Sequence, residues 1–249
     1  MRRPIGIEIR GLPAFACRSP VDRGEAAPSR SSPVGEPLFH AVSLPATALT
    51  GDFYLRVRRD RAWLFGLGDV AGHGLEASVY MMMIQEEIER LAERDDLPLA
   101  ALVGELHATM RRELPGSRFA SLVLAEVGAD GRAELVNAGH PPPLLRRADG
   151  EIFALPPNGP ILGPLPQSRW SSLTTRLRSD DTLLLVSDGV LEAMSPGGDE
   201  FGTERLWSAL ARDGALSPRE LVLRLLDEVA RFRGPEPATD DTSIVVIRA

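Results

Sequence analysis

Five aspartates stand where apolar runs give way to turns. Asp52 follows Gly51, Asp69 ends the run AWLFGLGD, Asp188 ends LLLVSD, and Asp240 and Asp241 precede the strand-like SIVVI. Asp favours turns because its side chain hydrogen-bonds nearby backbone, so a single Asp-Gly needs no further role. Asp130-Gly131 and Asp149-Gly150 take that plain reading. For the others the argument is joint. Each abuts a long apolar run of the kind that lies centrally in a sheet. If those strand ends converge, several carboxylates crowd one place, raise one another's pKa and destabilise the chain. Divalent cations relieve such repulsion, and hard carboxylate oxygens suit Mg²⁺ or Mn²⁺. The spacing alone does not establish that they converge.

The elements that must position these residues follow from periodicity. Strands are expected at 38–44, 53–57 and 63–67, the last running into Gly68-Asp69-Val70-Ala71-Gly72-His73-Gly74. The period then becomes helical, with Met81, Ile84, Ile88 and Leu91 at spacings of three, four and three. The first half of this helix, Leu75–Ile84, is apolar nearly all round and is expected to be buried on more than one side, with Met81-Met82-Met83 in the core rather than in any metal-binding role. A second helix is expected from Pro98 to about Glu113. Short strands follow at 119–127, 133–137, 144–146, 152–155, 171–177 and 183–187, with helices near 203–211 and 218–231 and a closing strand at 244–247. Strands, two helices, many strands, helices, strand: this order predicts an α+β fold of antiparallel sheets covered by helices. Residues 20–37 hold four prolines with serines and glycines, so residues 1–37 are expected as a partly flexible N-terminal extension with a strand around Ile5–Ile9, and 38–249 as the domain.

Composition narrows the chemistry. The 249 residues carry 28 basic and 35 acidic side chains, a net charge of −7, and every basic residue is arginine. With no lysine there is no Schiff-base chemistry and no lysine phosphate clamp. Phosphate, if handled, meets arginine, backbone amides or metal ions. Cys17 is the only cysteine, so no internal disulfide and no cysteine-held metal site can form. The acidic balance and the lack of a basic cluster argue against nucleic acid. No apolar run approaches the roughly 18 residues of a membrane span, and Glu8 and Arg10 interrupt what would be a signal's apolar stretch. A cytoplasmic protein without membrane contact is expected.

The ordered set GDFY (51–54), GDVAGHG (68–74), NAGHPPPLL (137–145), GPILG (159–163), SDGVLEA (187–193), FGTERL (201–206) and DDTSIVVI (240–247) resembles the SpoIIE-type branch of the metal-dependent Ser/Thr protein phosphatases, the phosphatase-2C superfamily. The resemblance covers roughly residues 38–249. It implies an αββα sandwich of two antiparallel sheets flanked by helices, with two divalent ions, Mn²⁺ or Mg²⁺, at one end. By position, it implies that Asp69 bridges both ions, that the Val70 carbonyl and the Asp188 and Asp240 carboxylates ligate them, and that Asp52 acts through water. Asp241 ranks second as a ligand. Two ions about 3.5–4 Å apart lower the pKa of a water held between them, which then attacks phosphorus in line with the seryl or threonyl oxygen. The leaving oxygen needs a proton; His73 either supplies it or only packs the turn. Gly72 and Gly74 permit that turn, and His140 and Asn137 are expected to be structural.

Three departures from the family stand out. Thr50 replaces the first glycine of the usual Gly-Gly-Asp, and Leu55 stands where an Asp is often found. Ser243 replaces a usual Thr. The implied partner is a phosphorylated protein, in relatives an anti-sigma-factor antagonist of a bacterial partner-switching pathway. The two helices at 75–94 and 97–113 resemble a regulatory switch, so control is expected from a homodimer or a separate regulatory protein, the alternative being constitutive activity. Two rivals remain. LLLVSDGVLEA is similar to the first motif of haloacid-dehalogenase phosphatases, but their nucleophilic aspartate would fall at Val186. A degenerate phosphatase fold that only binds phosphoproteins is opposed by the retained Asp69, Asp188 and Asp240.

Overall fold

The computed structural model describes residues 36–72, 74–114 and 118–249. The expected strand at Ile5–Ile9, Cys17 and His73 lie outside the described residues. Ten strands form two five-stranded antiparallel sheets. The first holds β2 (Asp52–Arg58), β3 (Ala62–Val70), β4 (Ala120–Gly128), β5 (Arg132–Ala138) and β8 (Leu173–Arg176), in the order β2-β3-β4-β5-β8. The second holds β1 (Leu38–Leu44), β10 (Thr242–Arg248), β9 (Thr182–Val186), β6 (Leu144–Arg146) and β7 (Ile152–Ala154), in the order β1-β10-β9-β6-β7. Helices α1 (Leu75–Ala92) and α2 (Leu99–Glu113) cover the first sheet; α3 (Asp188–Leu191), α4 (Gly202–Asp213) and α5 (Pro218–Arg233) cover the second.

The layers follow from which face each side chain takes. In β3, Phe65 and Leu67 point between the sheets, where they meet Leu183, Leu185, Val245 and Ile247. Leu64 and Val70 point the other way, onto Ile84, Ile88, Leu102 and Leu106 of α1 and α2. A strand buried on both faces reads as a continuous apolar run, and β3, β9 and β10 all do. α5 starts at a capping box: Ser217 accepts from the Glu220 amide while the Glu220 carboxylate accepts from the Ser217 amide.

One sequence expectation fails. Only one face of α1 is covered. Ile84, Ile88 and Leu91 are buried, whereas Leu75 is 71% exposed, Val79 44%, Met82 63% and Met83 40%. The methionines at 82 and 83 are therefore not core, and Met81 is only half-buried. The apolar run misled because α1 rests on a single sheet with nothing packed above it among the described residues. Leu75, Val79 and Met82 recur at spacings of four and three, so they form an uncovered stripe along the helix. The expected burial of this segment on several sides is corrected accordingly. The short helix α3 was also missed, since four residues give no measurable period.

The two faces of α1 differ in what a substitution costs. Met82→Gln should change the unfolding free energy in urea by less than about 0.5 kcal/mol. Ile88→Ala, which empties a fully buried site, should cost about 2–5 kcal/mol. Equal costs at the two positions would mean that α1 is covered on both sides.

Candidate metal centre

Strand register brings the first carboxylates together. β2 and β3 pair so that Asp52 lies directly opposite Asp69. On its other side β3 sets Asp69 opposite Ser121 and Val70 opposite Ala120 of β4. The second sheet delivers the rest. β9 is followed directly by Ser187 and Asp188, which open α3, and its neighbour β10 is entered through Asp240 and Asp241. The Asp241 carboxylate, bonded to Thr50 and Gly51 just before β2, joins the two sets. Burial pushes the Asp69 carboxyl up to about 7, with the charges of Asp188, Asp240 and Asp241 adding to the rise. Burial likewise lifts Asp52 to about 8; the Ser243 and Ser187 hydroxyls temper that rise and Asp69 adds to it. Asp188 is raised by its own burial and then by Asp240, and Glu192 by burial and then by Asp188.

These residues fit divalent cations on three observations. The donors are all hard oxygens. Asp52 is only 3% exposed, and its Oδ2 has no hydrogen-bond partner among the described residues. The third is an opening at Gly51. A Cβ there would lie 2.8 Å from the Val70 carbonyl oxygen, 3.4 Å from Asp69 Oδ1 and 3.5 Å from the Gly72 carbonyl oxygen. Three oxygens therefore surround a space that only a glycine leaves open. Among the described residues no three His, Cys, Asp or Glu side chains close on one point as a single-ion cage.

The second aspartate of the pair at 240–241 has other work. Asp241 Oδ1 accepts from the Ala46 amide at 2.8 Å, and Oδ2 accepts from the Thr50 hydroxyl at 2.6 Å and the Gly51 amide at 2.9 Å. Its carboxylate thus faces the 46–51 loop. Asp240, by contrast, is exposed, with Oδ1 accepting only from the Asp241 amide. Thr50 also accepts from the Asp52 amide at 2.9 Å. Sequence reading saw Thr50 only as a departure from glycine; its hydroxyl is the link between Asp241 and the strand that carries Asp52. Leu55 is a buried core residue and brings no oxygen to the centre.

Further supports lie behind the carboxylates. Ser187 Oγ accepts from the Ser243 amide at 2.9 Å and donates to the Asp241 carbonyl at 3.1 Å. Ser78 in the first turn of α1 donates to the Thr50 carbonyl at 2.7 Å, tying the helix to the same loop. Gly72 and Gly74 hold φ values of 107° and 81°, which side-chain-bearing residues rarely adopt. His140 is buried, its Nδ1 is 2.7 Å from the Ser121 hydroxyl, and its backbone is clamped by Asn137 on both sides. Burial drops its pKa to about 3, so it stays neutral and braces the residue that faces Asp69. His73 lies outside the described residues, and its geometry contributes nothing here.

The family model for the stage II sporulation protein E, SpoIIE, matches residues 59–249. The phosphoserine phosphatase RsbU of Bacillus subtilis (strain 168) is 25% identical over 210 residues, which are 84% of this chain and 62% of that protein. This chain therefore spans about three fifths of that relative's length. Among solved structures, the SiaA PP2C domain of Pseudomonas aeruginosa superposes with a TM-score of 0.77 at 23% identity and covers 85% of each chain. RsbX, solved in complex with magnesium, superposes with a TM-score of 0.66 at 15% identity, covering 86% of this chain and 96% of that one. The αββα sandwich is thus the phosphatase-2C fold.

Two expectations follow from the centre itself. Gly51→Ala should push a methyl group onto the Val70 carbonyl and weaken Mn²⁺ binding about tenfold or more by titration calorimetry; unchanged affinity would remove the opening at Gly51 from the site. The second concerns pH. The Asp52 and Asp69 carboxyls have folded pKa values near 8 and 7, above the ordinary 3.8, so between about pH 4 and 8 the folded state binds more protons than the unfolded one. Their contribution to stability is present at low pH and lost as pH rises through 7–8. In chelator, the melting temperature should fall between pH 5.5 and 8.5, and saturating Mn²⁺ should flatten that slope. A slope of opposite sign that metal leaves untouched would contradict the crowding.

Proposed function

The chain belongs to the SpoIIE family, and from that premise we propose that it is a metal-dependent phosphoprotein phosphatase acting on phosphoserine or phosphothreonine. What supports this reading is Asp52 set opposite Asp69, Asp241 bonded across to Thr50 and Gly51, the charges of Asp188 and Asp240 acting on Asp69, and the carbonyl and carboxylate oxygens around the space at Gly51. Under this reading Asp69, the Val70 carbonyl, Asp188 and Asp240 would hold the divalent ions, and Asp52 would act through water. When bound, such ions lower the pKa of water and neutralise charge on phosphoryl oxygens. Asp241 holds the 46–51 loop so that Asp52 and the Val70 carbonyl keep their places. His73, four residues beyond Asp69, is the candidate proton donor to the leaving seryl or threonyl oxygen. No cysteine, serine or lysine nucleophile is required, which suits a chain without lysine.

The substrate we infer is a phosphorylated protein, of the anti-sigma-factor-antagonist kind used in bacterial partner switching, met in the cytoplasm. The phosphoserine phosphatase RsbU supports the phosphoserine assignment. Control by a separate protein or by a second copy is supported by the uncovered apolar stripe on α1, a helix tied through Ser78 to the loop beside Asp52. A catalytically silent binding module is the weaker reading, because the full set of carboxylates is kept.

Purified protein should hydrolyse para-nitrophenyl phosphate with Mn²⁺ and stop on addition of a chelator. Asp69→Asn and Asp188→Asn should each lower kcat/KM about 10²–10³-fold. A rate indifferent to chelation, or an Asp188→Asn variant as fast as the parent, would refute the mechanism. Full turnover by the isolated chain would refute control by a partner.

A further inference from the structure

A peptide unit is planar and trans, so its C=O and N–H point in opposite directions. The Val70 carbonyl, a ligand under the reading proposed for the metal centre, shares its unit with the Ala71 amide. That amide donates to the Phe119 carbonyl at 3.0 Å. Whatever fixes the backbone at Phe119 therefore also fixes the direction of the Val70 oxygen.

That backbone is held from the side away from β3. The Ala120 amide donates to the Leu162 carbonyl at 3.1 Å, and the Leu162 amide donates to the Ala120 carbonyl at 2.9 Å. Leu162 belongs to the segment GPILG at 159–163. Its last residue packs closest: a Cβ on Gly163 would lie 2.4 Å from the Arg118 carbonyl oxygen, and Gly163 holds φ 109°. α2 grips this same residue at both polar atoms. His107 Nδ1 accepts from the Gly163 amide at 3.1 Å. Arg111, four residues on and so on the same helix face, donates to the Gly163 carbonyl at 2.9 Å. His107 is 5% exposed, and Trp170 tilts against its ring at 5.0 Å while donating to the Pro160 carbonyl at 2.8 Å. Burial holds the His107 ring below its ordinary value of 6.5, so Nδ1 keeps the lone pair that the Gly163 amide uses.

We propose that His107 is a positioning residue for the metal centre: through Gly163, Leu162 and the 118–120 backbone it keeps the Val70 carbonyl turned toward the space at Gly51. Arg111 is its exposed and lesser partner. The proposal rests on the metal-dependent reading and adds to it a task for α2 and for the GPILG segment. His107 touches neither ion nor phosphate in this scheme and acts only through the backbone it holds.

The test compares three variants. His107→Leu removes the acceptor. His107→Asn keeps one, since its Oδ1 stands where Nδ1 stands. Val229→Ala loosens the packing of α5 on the other sheet and touches none of these residues. Mn²⁺ affinity is read by titration calorimetry, and amide hydrogen exchange in chelator is read at Ala71 relative to Val245 in β10. His107→Leu should weaken Mn²⁺ binding about tenfold and speed exchange at Ala71 more than at Val245. His107→Asn should restore most of both. Val229→Ala should lower the melting temperature and leave Mn²⁺ affinity as it was. Turnover of para-nitrophenyl phosphate by His107→Leu should return toward the parent rate at saturating Mn²⁺. A merely structural His107 would lower the melting temperature alone. Unchanged Mn²⁺ affinity in His107→Leu, or a His107→Asn variant as weak as His107→Leu, therefore overturns the positioning role and leaves the metal centre standing. Should His107→Leu not fold, Arg111→Ala should weaken Mn²⁺ binding by a smaller factor, and no change there overturns the role. A parent protein that binds no Mn²⁺ sinks the metal-dependent reading, and the positioning role with it.

Discussion

Carboxylates of like charge, crowded at the edge of an apolar interior, set the terms for this molecule. Asp52 and Asp69 face each other across two paired strands, and Asp188 and Asp240 approach from the other sheet. Burial disfavours the charged forms of Asp52, Asp69 and Asp188, and the neighbouring charges add to that. No rearrangement of one residue relieves the site, because the positions are fixed by strand register. A shift of β2 by one residue would turn Asp52 to the opposite face and expose Phe53 and Leu55 from the core. The apolar layers thus hold the charges where they repel, and the repulsion is what makes the site receptive to cations.

The bonds that secure this arrangement are long in sequence and short in space. Asp241 reaches back across the chain to Ala46, Thr50 and Gly51. Ser243 meets Ser43 at 2.8 Å, and β1 pairs along its whole length with β10, from Leu38 opposite Arg248 to Leu44 opposite Thr242. Ser78 joins α1 to the same loop. The centre is therefore a junction of β1, β2, β10 and α1 rather than a pocket carved in one element. Movement of α1 pulls on the Thr50 carbonyl, two residues from Asp52, which gives the helix a mechanical connection to the carboxylates.

Much of this was legible in the residues. The strand ends that carry Asp52, Asp69, Asp188 and Asp240 were readable from apolar runs meeting Gly and Asp, and their family order made the fold plain. Strand bounds at 38–44 and 144–146 agree with the sequence reading residue for residue. Three things were not legible. Which side of α1 is covered depends on a neighbour, so Met82 and Met83 looked like core. The use of a carboxylate depends on what faces it: Asp240 and Asp241 are identical in type and adjacent, yet Asp241 is held by the 46–51 loop while Asp240 accepts only from the Asp241 amide. The worth of Thr50 appears only once Asp241 and the Asp52 amide are both within reach of its hydroxyl.

The pairing of β1 with β10 has a consequence for biogenesis. During synthesis β2, β3 and α1 leave the ribosome first, with Asp52 and Asp69 already present, while Asp240, Asp241 and the strand that seats them follow all the other described elements. Until then the second sheet lacks a central member, the 46–51 loop lacks its anchor, and the apolar edges of β1 and β9 stay unpaired. Such edges invite intermolecular pairing. A nascent chain therefore passes through a window in which it is both inert and prone to aggregate, and insertion of a single strand ends both conditions together.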